Sequence, residues 1–257
     1  MLFRSNRVEI DYLGGVLFYN GALINGTTVL IDGNLGIWAN YSGNITLSAG
    51  VVRPYTTDGS GVVTWIDNSR TYYGIFDENT YLASNESIAI GTGDFTFEAY
   101  VNPTAFSSVG QCTLFVSSNG GGFAAYYYNS AWYLVGGQNG VGDVITSTTL
   151  TPTNTWTHVA IVRSSGITSI YIDGVLDSTV DDLNDYGTDT YVVGHNVATV
   201  SFVGSIANAR ISSVARYSGA SFTLPETPFV SDADTYLLAL NHPGTNSELT
   251  NNGVTFV

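Results

Sequence analysis

The 257-residue chain contains no lysine, one cysteine and few charged side chains. Its seven cations are all arginines, which face 21 acidic residues and leave a formal net charge of −14. A surface with this charge repels polyphosphates and anionic lipid headgroups, so nucleic-acid binding and binding to an anionic membrane are disfavoured. Because Cys112 has no second cysteine to pair with, an intrachain disulfide framework is excluded.

Long apolar runs are also missing. The first residues, MLFRSNRVEIDYLGG, lack the apolar stretch that a secretory signal needs, and no later stretch approaches the length of a membrane span. We therefore expect a protein that is made in a cytoplasm and does not insert into a membrane. Release of particles by lysis would be one route to the outside.

No segment keeps a 3.6-residue apolar period for three turns, whereas Gly, Thr, Ser, Asn, Val and Tyr are abundant. These features predict an all-β protein with at most one short helical turn. Turn pairs such as Asn20-Gly21 and Asn25-Gly26 predict a β-hairpin-rich N-terminal extension over residues 1–55, followed by a main domain over 56–257.

Several later stretches alternate as strands do. In Asp94–Val101 (DFTFEAYV), Phe95, Phe97 and Ala99 share one face while Thr96, Glu98 and Tyr100 share the other. Residues 121–137 predict a hairpin that turns at Asn129-Ser130. Simple alternation over residues 202–209 places Ile206 and Asn208 on one face, with Ala207 and Ala209 on the other.

The stretch NTWTHVAIVRSSGITSIYIDGVL, residues 154–176, offers a base, a cation and a carboxylate in His158, Arg163 and Asp173. It also reads as two strands, with Asp173-Gly174 as a tight turn. We interpret His158 as a buried, hydrogen-bonded imidazole and Asp173 as a turn residue. We expect Arg163 to cap or pair locally at the end of its strand.

Five motifs follow one another along the chain, namely GTGDFTFEAYVNP, NTWTHVAIVR, SIYIDGVL, VGSIANARISSVARYS and FTLPETPFVSDADTYLLAL. In this order they resemble the laminin G-like, concanavalin A-like domains of phage virion proteins and bacterial surface proteins. The resemblance runs from Tyr81 to Leu240 and implies a two-sheet antiparallel jelly-roll sandwich in which these motifs are scaffold. One departure is Tyr100, where tryptophan is commoner in the family.

Carboxylate-pair catalysis finds little support in the sequence. Glycosidases on this sandwich need two acids close together on one strand face, and Glu98 is about 13 Å from Asp94 along an extended strand. Glu9 and Asp11 do alternate, but they lie in the N-terminal extension without a third acid. No Gly-x-Ser-x-Gly elbow and no closely spaced His/Cys group is present. We predict that the protein is not an enzyme.

Two kinds of ligand site stay open. The acidic stretch DSTVDDLNDYGTD offers weak calcium candidates in Asp181, Asp182 and Asp185, although a solvated acidic loop is the favoured interpretation. No other cofactor is predicted. The aromatic hairpin offers Tyr126, Tyr128 and Trp132 as ligand-binding residues, because aromatic rings stack on sugars and are frequent at protein interfaces.

The resemblance favours a non-catalytic structural and binding protein, most simply a bacteriophage virion component that is tail-associated or decorates a capsid. On this hypothesis it lies on the virion surface, forms a homo-oligomer and contacts other virion or surface proteins, or a cell-surface glycan. The N-terminal extension would serve docking or oligomerisation. The alternatives are an extracellular or cell-surface glycan-binding module and, third, a polysaccharide-degrading enzyme.

Overall fold

The computed structural model describes residues 70, 72–105, 111–118, 122–136, 143–196, 200–225, 227–242 and 249–257, and the backbones of seven short strands between residues 17 and 65. The chain divides into two compact units, Met1–Asn68 and Ser69–Val257. The predicted extension, residues 1–55, falls within the first unit. The boundary at 55/56 and the docking role of the extension stay predictions.

The first unit is described by its strand backbones alone. These strands are β1 (Leu17–Tyr19), β2 (Leu23–Asn25), β3 (Thr28–Leu30), β4 (Leu35–Ile37), β5 (Ser42–Thr46), β6 (Val52–Thr57) and β7 (Val63–Trp65). Strands β1 and β4 pair with each other, while β2, β3, β5, β6 and β7 form a sheet in that order. Asn25 lies opposite Thr28 in the β2–β3 pair, which is the register of a tight hairpin.

The second unit is built from short antiparallel strands, and its described residues include no helix. The strands are β8 (Gly74–Phe76), β9 (Tyr81–Ser84), β10 (Ile88–Ala89), β11 (Phe95–Ala105), β12 (Gln111–Ser117), β13 (Phe123–Tyr128), β14 (Ala131–Gly136), β15 (Asp143–Thr146), β16 (Thr157–Ser164), β17 (Ile167–Ile172), β18 (Val175–Asp181), β19 (Thr188–Asp189), β20 (Tyr191–Val193), β21 (His195–Asn196), β22 (Val200–Ser201), β23 (Val203–Ser212), β24 (Thr235–Ala239), β25 (Leu249–Asn252) and β26 (Thr255–Phe256).

Two large sheets form a sandwich, as the all-β jelly-roll prediction requires. The first sheet has the order β18-β17-β16-β11-β23-β8-β26, with β24 also paired to β23, and the second has the order β15-β14-β13-β12-β20-β9-β25. Neighbours in each sheet are often distant in sequence, so the chain crosses repeatedly between the two layers. At one edge, the backbones of Tyr73 and Val257 exchange two hydrogen bonds of 3.2 and 2.9 Å.

The core lies between these sheets and is dominated by aromatic and branched side chains. Phe97 of β11 stacks on Phe123 of β13, with ring centroids 3.8 Å apart. The predicted alternation in β11 is confirmed, because Phe95, Phe97 and Ala99 all belong to this core. Burial of such rings supplies most of the favourable free energy of a sandwich of this size.

The other face of β11 is covered as well, by an irregular segment that we call the strap, residues 213–225 and 227–229. Phe229 packs on Tyr100, and Phe222 packs on Tyr171 of β17. The Tyr100 hydroxyl donates to the Pro225 carbonyl at 2.8 Å, and Tyr171 donates to that of Gly219 at 3.1 Å. The tyrosine that departs from the family pattern therefore fastens the strap to the sheet.

The simple alternation predicted for residues 202–209 is wrong at one point. Three residues of β11, Glu98 to Tyr100, face four of β23, Arg210 back to Ala207. Asn208 is the extra residue of this β-bulge, with φ +51°. Ala209 and Ile211 consequently enter the core, and Arg210 turns to the strap side.

Candidate functional site

Glu98 is fully buried beneath the strap, at the centre of a cluster of polar side chains. One carboxylate oxygen, Oε1, accepts hydrogen bonds from Nε and Nη2 of Arg210, at 2.8 and 2.6 Å. The other, Oε2, accepts from the Tyr217 hydroxyl at 2.7 Å and lies 3.2 Å from His158 Nε2. The bulge at Asn208 makes this possible, because it aims Arg210 at Glu98 instead of at the apolar core.

The charges of this cluster are set by their partners. Burial alone would raise the pKa of Glu98, but the hydrogen bond and charge of His158, together with Arg210 and Tyr217, hold it below its ordinary value. Burial and the neighbouring Glu98 charge raise the pKa of Tyr217, so its hydroxyl stays protonated as a donor. The arrangement stabilises one ionised carboxylate inside the protein.

His158 is buried as predicted, with no exposed side-chain surface. Its ring lies against Tyr100, Phe222 and Phe229, and its backbone N–H donates to Asp173 Oδ1 at 2.8 Å. Nδ1 has no hydrogen-bond partner. Asp173, with φ +48°, is the turn residue that the Asp-Gly pair predicted. The Asp173 side chain therefore ties the turn after β17 to β16, and the His158 ring packs β16 against the strap.

This cluster is poorly arranged for glycoside hydrolysis. Both oxygens of Glu98 are engaged by protein donors, so neither is presented to a sugar or a water molecule. Asp94, the acid that immediately precedes this strand, accepts a hydrogen bond from the backbone of Ser165 at the surface. The geometry supports a structural role for Glu98, namely fastening the strap.

Arg163 does not cap its own strand end, and that prediction is wrong. Its fully buried guanidinium donates to the carbonyls of Gly91, Gly93 and Asn184 at 2.5–2.9 Å. The rings of Phe95 and Tyr186 lie on it, each with its centroid 4.9 Å away. Arginine suits this place because one planar group can donate to several carbonyls and stack on rings.

The three calcium candidates do not converge. Asp182 is buried and accepts from Thr168 and Tyr186, at 2.6 and 2.8 Å. Asp185 accepts from the backbone of Gly187, and Asp181 lies exposed in the edge strand β18. Within the described residues no group of three His, Cys, Asp or Glu side chains could hold a metal ion. The acidic stretch thus begins within strand β18, and Asp182 ties the segment that follows to the sandwich.

The aromatic hairpin is confirmed, with Asn129 and Ser130 at its turn at φ +49° and +66°. Its strands alternate between buried and half-buried residues. Tyr126, Tyr128 and Tyr133 are half-buried on the outer face of the second sheet, and we call these three residues the tyrosine platform. The Tyr126 and Tyr133 rings are parallel within 1°, with centroids 5.1 Å apart.

Trp132 faces the opposite way from the platform. It is fully buried and donates from Nε1 to Thr151 Oγ1 at 3.1 Å. Its ring offers no surface to a ligand, so the ligand-binding candidates of the hairpin need correcting: Tyr133, one residue along, replaces Trp132. The alternation itself was readable from the sequence. Which aromatic residues face outward was not, since rings occupy both faces.

No helix within the described ranges is long and apolar enough to cross a membrane. Residues 76–218 match a laminin G family of the concanavalin A-like lectin/glucanases superfamily. Comparison with curated protein sequences gave no significant match.

Among solved structures, a candidate carbohydrate binding protein from Bacteroides ovatus ATCC 8483 is similar with a TM-score of 0.61 and 17% identity, over 98% of this chain and 81% of that one. A heptameric pentraxin from Limulus polyphemus has a TM-score of 0.46 and 16% identity, over 58% of this chain and 79% of that one. Domains LG4-5 of the mouse laminin alpha1 chain have a TM-score of 0.43 and 16% identity, over 68% of this chain and 54% of that one. At 17% identity, the likeness to the Bacteroides ovatus protein concerns the fold alone. The sandwich, the ordered motifs and a family match over more than half of its length show that the chain belongs to the concanavalin A-like lectin/glucanases superfamily.

Proposed function

We propose that the chain is a non-catalytic binding module that holds a saccharide on the tyrosine platform. The observation that carries this proposal is the outward, half-buried set of Tyr126, Tyr128 and Tyr133, two of whose rings are parallel. Grouped aromatic rings on an outer sheet face mark interaction sites more often than isolated ones do.

The chemistry of a tyrosine platform suits a sugar. The C–H faces of a pyranose ring pack on an aromatic ring, and phenol hydroxyls are able to donate to and accept from sugar hydroxyls. Thr146 lies next to Tyr133 in the β14–β15 register and adds another hydroxyl group to the same face. Membership of a lectin and glucanase superfamily agrees with this ligand class, as does the description of the Bacteroides ovatus protein.

Binding of the full chain to a glycan array tests the proposal. We expect binding that Tyr126→Ala and Tyr133→Ala each weaken, because each removes one stacking surface. Tyr236→Ala is the matched control, since Tyr236 is an exposed tyrosine on β24 of the first sheet. Equal binding by all three variants, or no bound glycan at all, would contradict the proposal.

We also propose that the module does not hydrolyse its ligand. Support comes from Glu98, whose two oxygens are occupied by Arg210, His158 and Tyr217. Incubation with algal and bacterial polysaccharides, followed by assay for reducing sugar, checks this directly. Release of reducing sugar that Glu98→Gln abolishes while the variant remains folded would overturn the proposal.

A finer proposal is that the module sits on the surface of a bacteriophage particle, as a homo-oligomer contacting other virion proteins. Its support is the resemblance of the five ordered motifs to domains of virion and bacterial surface proteins. Neighbouring capsid and tail genes and an oligomeric mass in solution are the expected findings. A monomer encoded among genes for polysaccharide uptake would instead favour a cell-surface or extracellular glycan-binding module.

A further inference from the structure

The positive charges of the second unit are all committed to contacts within the protein. The chain has no lysine, and in the part of this unit that the structure describes the cations are Arg70, Arg163, Arg210 and Arg216. Arg163 is fully buried among backbone carbonyls, and Arg210 is buried against Glu98.

The two remaining arginines are also engaged. Arg216 donates from Nη1 and Nη2 to the two carboxylate oxygens of Asp232, at 2.9 and 2.7 Å, and its side chain is 14% exposed. Arg70 lies over the rings of Tyr100 and Trp156, 5.3 and 5.9 Å from their centroids. Neither guanidinium belongs to the second sheet, which carries the platform.

The platform itself is uncharged. The outward side chains of β13 and β14 are Ala124, Tyr126, Tyr128, Tyr133 and Val135. Their polar groups are hydroxyls, which serve as donor and acceptor alike. The Asp177 carboxylate accepts hydrogen bonds from the backbone N–H groups of Thr148 and Thr149, at 2.6 and 2.7 Å. These residues follow Thr146 closely in the sequence, so the nearby charge is negative.

The platform offers no favourable partner for the charged group of an anionic sugar. A sulfate or carboxylate group that leaves water needs a cation or several aimed N–H donors in exchange, and guanidinium is the preferred partner. The net charge of −14 adds long-range repulsion. We infer that the platform takes an uncharged saccharide and discriminates against sulfated, sialylated and uronic-acid-rich glycans. This inference rests on the proposed function and names its ligand class.

Paired probes that share a backbone and differ in charge test the inference. Native affinity electrophoresis of the full chain would compare dextran with dextran sulfate and hydroxyethyl cellulose with carboxymethyl cellulose, and an array would compare neutral with sialylated and sulfated oligosaccharides. We expect the chain to bind only among the uncharged probes, which are dextran, hydroxyethyl cellulose and the neutral oligosaccharides, at low and at high salt. Because one ring contributes stacking energy, Tyr133→Ala should weaken that binding roughly tenfold.

A charge-adding variant tests the reason for the selectivity. Val135→Arg places a guanidinium beside the platform rings, and we expect it to gain salt-sensitive binding to dextran sulfate that the natural chain lacks. Val230→Arg, on an exposed residue just beyond the strap, is the matched control and should gain much less.

The outcomes separate the two proposals. Tighter binding of the natural chain to the charged member of a pair, lost in Tyr133→Ala, overturns the uncharged class but leaves the saccharide platform standing. Absence of binding to every probe in both sets contradicts the saccharide platform, and the inference fails with it.

Discussion

The carboxylate of Glu98 and the guanidinium of Arg210 meet inside the protein although they are 112 residues apart in sequence. One oxygen of Glu98 accepts two hydrogen bonds from Arg210, and the other faces Tyr217 and His158. A buried ion pair of this kind adds little compared with apolar packing, but removal of one partner leaves a charge without compensation. Because Tyr217 belongs to the strap, the cluster also ties the strap to the charge of Glu98.

Glu98→Gln should lower the free energy of unfolding by about 3–5 kcal/mol, because Arg210 then stays buried without a counter-charge. Urea unfolding followed by tryptophan fluorescence measures this change. Glu86→Gln is the control, since Glu86 lies exposed in a turn and its replacement should change stability by no more than about 0.5 kcal/mol. An unchanged unfolding midpoint in Glu98→Gln would show that the cluster does not hold the strap.

The same carboxylate should make stability depend on pH in acid. The pKa of Glu98 in the folded protein lies below its ordinary value of 4.5, so the unfolded chain binds its proton first as the pH falls. The stabilisation from Glu98 is therefore complete above pH 4.5 and is lost as the pH falls from there through the lower folded pKa.

Unfolding free energies measured between about pH 7 and about pH 3 check this dependence. Asp177 and Asp232 also have lowered pKa values. Partial burial would raise the pKa of Asp177, but hydroxyl and backbone donors outweigh it, and Arg216 is the main cause for Asp232. Both carboxylates therefore also lose stabilising free energy as the pH falls. The profile of Glu98→Gln should be flatter than that of the natural chain. Parallel profiles would assign the acid sensitivity to the other carboxylates.

Adjacent aromatic residues on β14 should respond very differently to truncation. Trp132→Ala removes a fully buried ring and should cost about 3–5 kcal/mol of stability. Tyr133→Ala removes a half-buried ring and its contact with Tyr126, and should cost about 0.5–1.5 kcal/mol. Chemical denaturation of the two variants checks this difference. Similar losses would mean that the platform belongs to the folding core instead of serving as a ligand surface.

Gly174 and Gly219 form a matched pair for the contact between strap and sheet. Both have positive φ, +78° and +77°, so alanine is strained by about 1–2 kcal/mol at either place. A side chain at Gly174 would also lie 2.5 Å from the carbonyl oxygen of Phe222, whereas the space at Gly219 is open.

Gly174→Ala should therefore be less stable than Gly219→Ala by about 1–3 kcal/mol, since the strap must shift to make room. Thermal and urea unfolding of the two variants provide the comparison. Equal losses would show that the strap yields without cost at this turn.

The sequence predicted what depends on neighbouring residues. Alternation identified the buried face of β11, the Asn129-Ser130 pair gave the hairpin, and Asp173-Gly174 gave the turn. The ordered motifs indicated the sandwich because each is a local signature. The burial of His158 also followed from its apolar neighbours on the same strand face.

What the sequence did not reveal depends on distant partners. One residue, Asn208, reverses the side-chain direction of the rest of β23, and nothing in the local pattern marks a bulge there. Glu98 gave one signal, an acidic residue between Phe97 and Ala99 in a predicted strand, but its partners lie on three other segments. Arg163 was misread for the same reason, since its acceptors Gly91, Gly93 and Asn184 come from outside its own strand.

The hydrogen bonds between Tyr73 and Val257 place the residue before β8 beside the residue after β26. The two ends of the described sandwich thus lie next to each other at one sheet edge. A host protein can accept such a unit within a surface loop without spreading the ends of that loop. The same adjacency suits circular permutation of this unit, because a short linker would join the two ends.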